Sequence, residues 1–157
     1  MTLLKPGDQF PDITLTLAGG DTLEVPAALA GNYAVVLFNR GSWCPFCVTQ
    51  LRSFQRALPQ LEEAGVKVVC LSVDDEATAK EMIDKHGLTF PVGYGADADA
   101  VAAATGAFLN PQPHYLQSTG FLLDPAGMVT VSVYSSGAIG LLVPQDVLGM
   151  VRYLRQP

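Results

Sequence analysis

The run Ala34-Val35-Val36-Leu37-Phe38 is apolar at every position, and one residue after it the chain reads Arg40-Gly41-Ser42-Trp43-Cys44-Pro45-Phe46-Cys47. An apolar run without alternation suits a central strand covered on both faces, which demands a sheet with a layer above and a layer below. From Pro45 onward the period changes. Cys47, Leu51, Phe54, Leu58 and Leu61 recur at steps of three and four, so a helix with one buried stripe is predicted, with Gln50, Arg52 and Arg56 outside that stripe. Pro59 kinks or divides it, and Gly65 ends it. The stretch from Val66 to Val73 is rich in β-branched residues and reads as a second buried strand. Strand, helix and strand in that order imply a right-handed parallel crossover.

The junction between the first strand and its helix gives the two cysteines their meaning. Pro45 suits the first helical position, because its ring presets the backbone and the amide it lacks would have been unpaired there anyway. Cys44 then falls at the N-cap, where first-turn amides and the positive end of the helix dipole favour thiolate over thiol. A lowered pKa for Cys44 is predicted. Cys47 lies one turn further in, within reach of Cys44 once that residue is oxidised or held in a mixed disulfide. Such a pair cycles between dithiol and disulfide with no cofactor and no metal. The spacing and the exposed junction expected there favour a redox pair over two buried structural thiols.

Elsewhere, Ile13, Leu15 and Leu17 alternate with threonine, Gly19-Gly20-Asp21 turns the chain, and Leu23 and Val25 resume the alternation, predicting a small N-terminal hairpin. Asp74 to His86 reads as a helix stopped at Gly87, and Asp97 to Thr105 as a shorter alanine-rich one. Asn110-Pro111-Gln112-Pro113-His114 is read as a loop. Thr119 to Leu123, a turn at Asp124-Pro125-Ala126-Gly127 and Met128 to Tyr134 predict an antiparallel hairpin, and Val147 to Leu154, preceded at Pro144, a closing helix. The sum is an α/β fold with a central mixed β-sheet flanked by helices and an N-terminal hairpin extension, expected as one domain over residues 1–157.

A net charge of −6 and a pI near 4.6 argue against an electrostatic grip on nucleic acid or on an anionic membrane, so neither is an expected partner. The N-terminus does not read as a secretory signal and no run is long enough to span a bilayer. Three cysteines, an odd number, suit a reducing compartment, and the cytoplasm is the expected location.

Gly7-Asp8 with Pro11-Asp12, the strand running into Arg40 to Cys47, Leu71-Ser72-Val73-Asp74, and Phe121 to Gly127 together resemble the thioredoxin fold. More narrowly, the chain resembles the peroxiredoxin-like branch of the alkyl hydroperoxide reductase and thiol-specific antioxidant families. The resemblance implies a thiol-dependent peroxidase acting on hydrogen peroxide or organic hydroperoxides. Cys44 would be the attacking thiolate and Cys47 the resolving partner, with an external thiol donor of thioredoxin type resetting the pair. It also implies frequent self-association, for which a homodimer is the default. The chain departs from the family pattern twice. Where family peroxidases carry a threonine or serine three residues before the peroxidatic cysteine, Gly41 stands here, with Ser42 one place later. Where they supply an arginine from the start of the late hairpin, the position falls near Ser118, also roughly the place of the cis-proline in thioredoxin-like reductases. Gln117, Ser118 and Thr119 are therefore expected to present amide and hydroxyl groups to the site, and Arg40 is the nearest cation in sequence.

Trp43 beside Cys44 is expected to cover the sulfur, and Cys70, within the second strand, to act as a small core hydrophobe. His114 reads as a solvated loop residue, Arg52, Arg56, Arg152 and Arg155 as solvated helix faces, and Asp74-Asp75-Glu76 as an ordinary helix start. Two further functions fit the same residues: a thioredoxin-like reductase of protein disulfides, and a non-catalytic binding module with the cysteines as a redox sensor. A metal shared between two chains is the remaining alternative, since His86 and His114 alone do not complete a four-ligand zinc site.

Overall fold

The computed structural model describes residues 3–156. Its frame is a seven-stranded mixed sheet built from β1 (Ile13–Leu17), β2 (Thr22–Val25), β3 (Tyr33–Phe38), β4 (Val66–Leu71), β5 (Val92–Tyr94), β8 (Thr119–Leu123) and β9 (Val129–Tyr134). In space their order is β2-β1-β5-β4-β3-β8-β9. Strands β3, β4 and β5 run parallel, while β8 joins β3 antiparallel and carries β9 at the edge. The N-terminal hairpin extends the same sheet through an antiparallel pairing of β1 with β5.

Strand β3 has no alternation because both of its faces are covered. Val35 and Leu37 enter one core layer, with Leu51, Phe54, Leu61, Met82, Val147 and Val151 from the helices α1 (Pro45–Arg56), α2 (Leu58–Glu63), α3 (Glu76–His86) and α5 (Pro144–Leu154). Ala34, Val36 and Phe38 enter the other, with Phe10, Phe121 and Val101 and Ala102 of α4 (Ala98–Thr105). Phe121, fully buried in β8, meets Phe10, Phe38 and Tyr134 edge to face with ring centroids 5.1 to 5.6 Å apart. These contacts pack the C-terminal end of β3, where the chain leaves the sheet, against β8 and β9.

The long helix predicted from Pro45 is divided. It ends at Arg56, and Pro59 sits in the first turn of α2, where its missing amide costs nothing. The second strand stops at Leu71 rather than Val73, and the helix after it begins at Glu76 with Asp75 as N-cap, its carboxylate accepting the Thr78 amide at 2.8 Å. Asp97 caps α4 in the same way. Three short strands lie outside the elements predicted from the sequence. Strand β5 is only three residues long, and β6 (Leu109–Asn110) and β7 (Tyr115–Leu116) pair across the segment read as a plain loop.

Two side chains expected to be solvated also make specific contacts. Arg155 is not merely solvated: its guanidinium donates to the Ala64 carbonyl and lies 5.1 Å from the Tyr33 ring, fastening the end of α5 to the turn before β4. His114 pairs with Asp99 of α4 at 3.0 Å. Among the described residues, no helix is long and apolar enough to cross a membrane.

Candidate active site

The site forms where β3 ends. Asn39 continues the parallel ladder by donating its amide to the Leu71 carbonyl at 2.9 Å, after which the chain turns through Arg40 to Trp43 into α1. Cys44 is the N-cap, in extended conformation, with Pro45 following it in the first turn. Its sulfur accepts the Cys47 amide at 3.4 Å. The turn before it is braced from the segment between β4 and α3: the Asp74 carboxylate accepts the Ser42 amide at 2.8 Å. Asp74 is therefore part of the site's frame rather than a helix start. Ser42 contributes this backbone amide.

Arg40 is the cation of the site. Its Nη1 donates to the Cys44 sulfur at 3.7 Å, its Nη2 to the Tyr115 hydroxyl at 2.9 Å, and its backbone amide to the Cys47 sulfur at 3.5 Å. The guanidinium carbon lies 5.0 Å from the Trp43 ring and 5.3 Å from the Tyr115 ring, and the two rings meet edge to face at 5.0 Å. On the other side, Cys47 and Ser118 share a hydrogen bond at 3.4 Å. Thr119 does not join them, because its hydroxyl turns to the Gln117 carbonyl at 3.1 Å. Gln117 is buried, and its side-chain oxygen has no hydrogen-bond partner.

These surroundings push the two thiols in opposite directions. Burial works against ionisation of Cys44, but hydrogen bonds from the Cys47 thiol and amide, together with the Arg40 guanidinium, outweigh it and lower its pKa. Burial dominates at Cys47, and the hydrogen bond with Cys44 adds to it, so that thiol is pushed up to about 11 despite the opposing bond from Ser118. Cys70 is buried outright and pushed up to about 12, with Asn39 only partly offsetting the burial. Among the described residues, no cluster of three or more His, Cys, Asp or Glu could hold a metal ion.

The cysteines are not exposed at the junction: Cys44 is 0% and Cys47 1% accessible, whereas Trp43 and Phe46 beside them are 55% and 51% exposed. The N-cap geometry places the sulfur under the start of the helix and leaves its neighbours facing solvent. Trp43, in turn, folds back over the Gly41 backbone and against Tyr115 and Arg40. A β-carbon at Gly41 would lie 2.3 Å from Trp43 Nε1 and 2.8 Å from its Cδ1. The position that lacks a hydroxyl is thus one whose side-chain space the indole already occupies. Tyr115 is the residue that sequence reasoning missed, since nothing in the spacing of an aromatic residue after a proline-rich segment connects it with Cys44.

A dithiol at the N-terminus of a helix that follows a central parallel strand defines a thioredoxin-type redox site. The AhpC/TSA family model matches residues 6–132. A peroxiredoxin of Treponema denticola is 29% identical over 140 residues, covering 85% of this chain and 66% of the relative, so the chain spans about two thirds of that protein's length. Peroxiredoxin Bcp of Xanthomonas campestris is 30% identical over 123 residues, covering 75% of this chain and 76% of the relative. Among solved structures, peroxidoxin BcpB from Mycobacterium tuberculosis superimposes with a TM-score of 0.83 at 18% identity, covering 98% of this chain and 99% of that one. The chain belongs to the AhpC/TSA family, as a peroxiredoxin-like member of the thioredoxin superfamily whose enzymatic class is that of thiol-dependent peroxidases.

The close packing at Gly41 generates a test. Gly41→Ala forces the indole out of its place, with an overpacking cost of roughly 1–3 kcal/mol in urea unfolding and a changed Trp43 emission. In a Trp43→Ala background the steric part of this cost is expected to be relieved, while the strain of an alanine at φ +154° remains.

Proposed function

We propose that Cys44 is the peroxidatic thiolate and Cys47 its resolving partner in the reduction of hydrogen peroxide or an organic hydroperoxide. The observation that carries this reading is the convergence of the Cys47 amide and the Arg40 guanidinium on the Cys44 sulfur, at 3.4 and 3.7 Å. The thiolate attacks one peroxide oxygen; an S–O bond forms, the O–O bond breaks, and water or alcohol leaves after taking a proton. The sulfur, oxidised by two electrons, becomes a sulfenic acid. Cys47 attacks it once its own proton is lost, forming the S–S bond and releasing water. Its raised pKa keeps Cys47 a thiol until then, and Ser118, bonded to it at 3.4 Å, is positioned to take part in that proton's departure. An external dithiol restores both thiols by exchange.

Because Cys44 is fully covered, access requires movement of the side chains around it, and Trp43 is the half-exposed one beside it. A second reading rests on Gly41. With the indole in the hydroxyl's place, the site suits attack on a disulfide sulfur, which needs no oriented O–O bond. Arg40, Ser42, Trp43, Pro45, Ser118 and Thr119 are proposed to shape the site: Arg40 by charge, Ser42 and Pro45 through the turn and helix start, Trp43 as the movable wall, Ser118 at Cys47, and Thr119 by fixing the backbone before β8. The reaction is proposed to run in one domain, in the cytoplasm, where a resting dithiol and a third free cysteine persist. A homodimer is proposed from the exposed apolar group Phe46, Ile139 and Val143, and sedimentation at twice the chain mass checks it.

Rapid mixing of reduced protein with stoichiometric hydrogen peroxide, followed by Trp43 emission, tests the central reading. Oxidation far faster than that of a free thiol at the same pH is expected, abolished in Cys44→Ser and halted at the sulfenic acid in Cys47→Ser. A rate no higher than a free thiol's, with brisk reduction of a protein disulfide, would replace it by the second reading.

A further inference from the structure

Arg40 is half-buried and, among the described residues, has no carboxylate partner. Of its guanidinium nitrogens, Nη1 reaches the Cys44 sulfur, Nη2 reaches the Tyr115 hydroxyl, and Nε is buried with no partner. A cation withdrawn from water needs a compensating group, and here those groups are two aromatic faces, one hydroxyl and one sulfur. The anion that completes the set is the Cys44 thiolate.

We propose that Tyr115 is a positioning residue for the reaction at Cys44: by holding one arm of the Arg40 fork it aims the other at the sulfur. The proposal rests on the reading above only in taking Cys44 as the reacting thiol. The guanidinium is planar and its donors are fixed relative to one another, so anchoring Nη2 on a hydroxyl, with Trp43 and Tyr115 rings against the plane, restricts where Nη1 can point. Without that anchor, a long side chain with an unpartnered Nε has many rotamers to choose from.

Tyr115 itself is set by backbone rather than by a mobile loop. It pairs with Asn110 across β6 and β7, and its neighbour Leu116 is fully buried. The Gln117 amide donates to the Phe108 carbonyl at 2.8 Å, and His114 ties the connection between the two strands to Asp99 of α4. The small two-stranded sheet therefore delivers the Tyr115 hydroxyl to the site. The groups that bear on Cys44 are Arg40 from the turn after β3, Cys47 from α1 and, through Arg40, Tyr115 from β7; Asp74, between β4 and α3, meets the Ser42 amide instead.

The test is the pH dependence of iodoacetamide alkylation at Cys44 in the reduced protein, read by mass spectrometry of the Cys44 peptide. Tyr115→Phe, which keeps the ring and loses the hydroxyl, is expected to raise the midpoint by roughly half a unit, and Arg40→Gln by roughly one unit or more. Adding Tyr115→Phe to Arg40→Gln moves the midpoint no further, because the hydroxyl acts through the guanidinium. Arg40→Lys approaches the same contact from the other side: it keeps the charge but not the fork, and it too abolishes the effect of Tyr115→Phe. A Tyr115→Phe midpoint equal to the parent's, or a shift that persists undiminished with Gln at position 40, would overturn the proposal. Shift and coupling in a protein that fails to react with peroxide would uphold the positioning role and overturn only the peroxidase reading.

Discussion

The 3.4 Å hydrogen bond from the Cys47 amide to the Cys44 sulfur ties the chemistry of the site to the backbone of α1. It exists because Cys44 is an N-cap, and Cys44 is an N-cap because Pro45 starts the helix directly after the turn that leaves β3. That turn is held by β4 and the segment after it: the Asn39 amide reaches the Leu71 carbonyl, and Asp74 holds the Ser42 amide. Burial opposes the result. A thiolate withdrawn from water is disfavoured, and the helix terminus returns only about 0.3–1 kcal/mol in ordinary settings. Hydrogen bonds from the Cys47 thiol and amide, together with the Arg40 guanidinium, outweigh that burial and lower the pKa of Cys44, while burial keeps that of Cys47 raised. Two chemically identical side chains one turn apart are thereby made unlike, which suits the proposed roles of an ionised nucleophile and a protonated reserve.

Gly41 stands where the family resemblance implies a hydroxyl, and Trp43 explains why no side chain fits there. The indole lies against the Gly41 backbone and so excludes any side chain at that position. The same indole forms one wall for the Arg40 guanidinium, and Tyr115 forms the other. The cation beside Cys44 comes from the turn before it, while Ser118, at the start of the late hairpin, is bonded to Cys47. Donors have been redistributed around the two sulfurs rather than lost.

Local patterns made much of this legible. The unbroken run from Ala34 to Phe38 announced a doubly covered strand, and Pro45 between the cysteines announced the N-cap. Both depend on neighbours in sequence. What escaped depends on neighbours in space. Strand β5 is three residues of the sheet centre with too little length for a period. Burial of Cys44 reflects how the helix start packs, which no composition reveals. Tyr115 lies 75 residues from Arg40, and only the pairing of β6 with β7 brings its hydroxyl to the guanidinium. Thr119 looked available to the site, but the Gln117 carbonyl is the nearer partner.

The claim on which the account stands is that Cys44, and not Cys47, is the ionised thiol of the reduced protein. Titration of thiolate ultraviolet absorbance in the reduced protein, beside Cys44→Ser and Cys47→Ser, measures it. For an acidic group whose pKa is lowered in the folded state, the charged form is present above that value and disappears as pH falls through it. One thiolate is therefore predicted to titrate below the ordinary thiol value of about 8.5 and to vanish in Cys44→Ser, with the remaining thiols ionising well above it. A Cys44 that stays protonated up to or beyond the ordinary value would contradict the account.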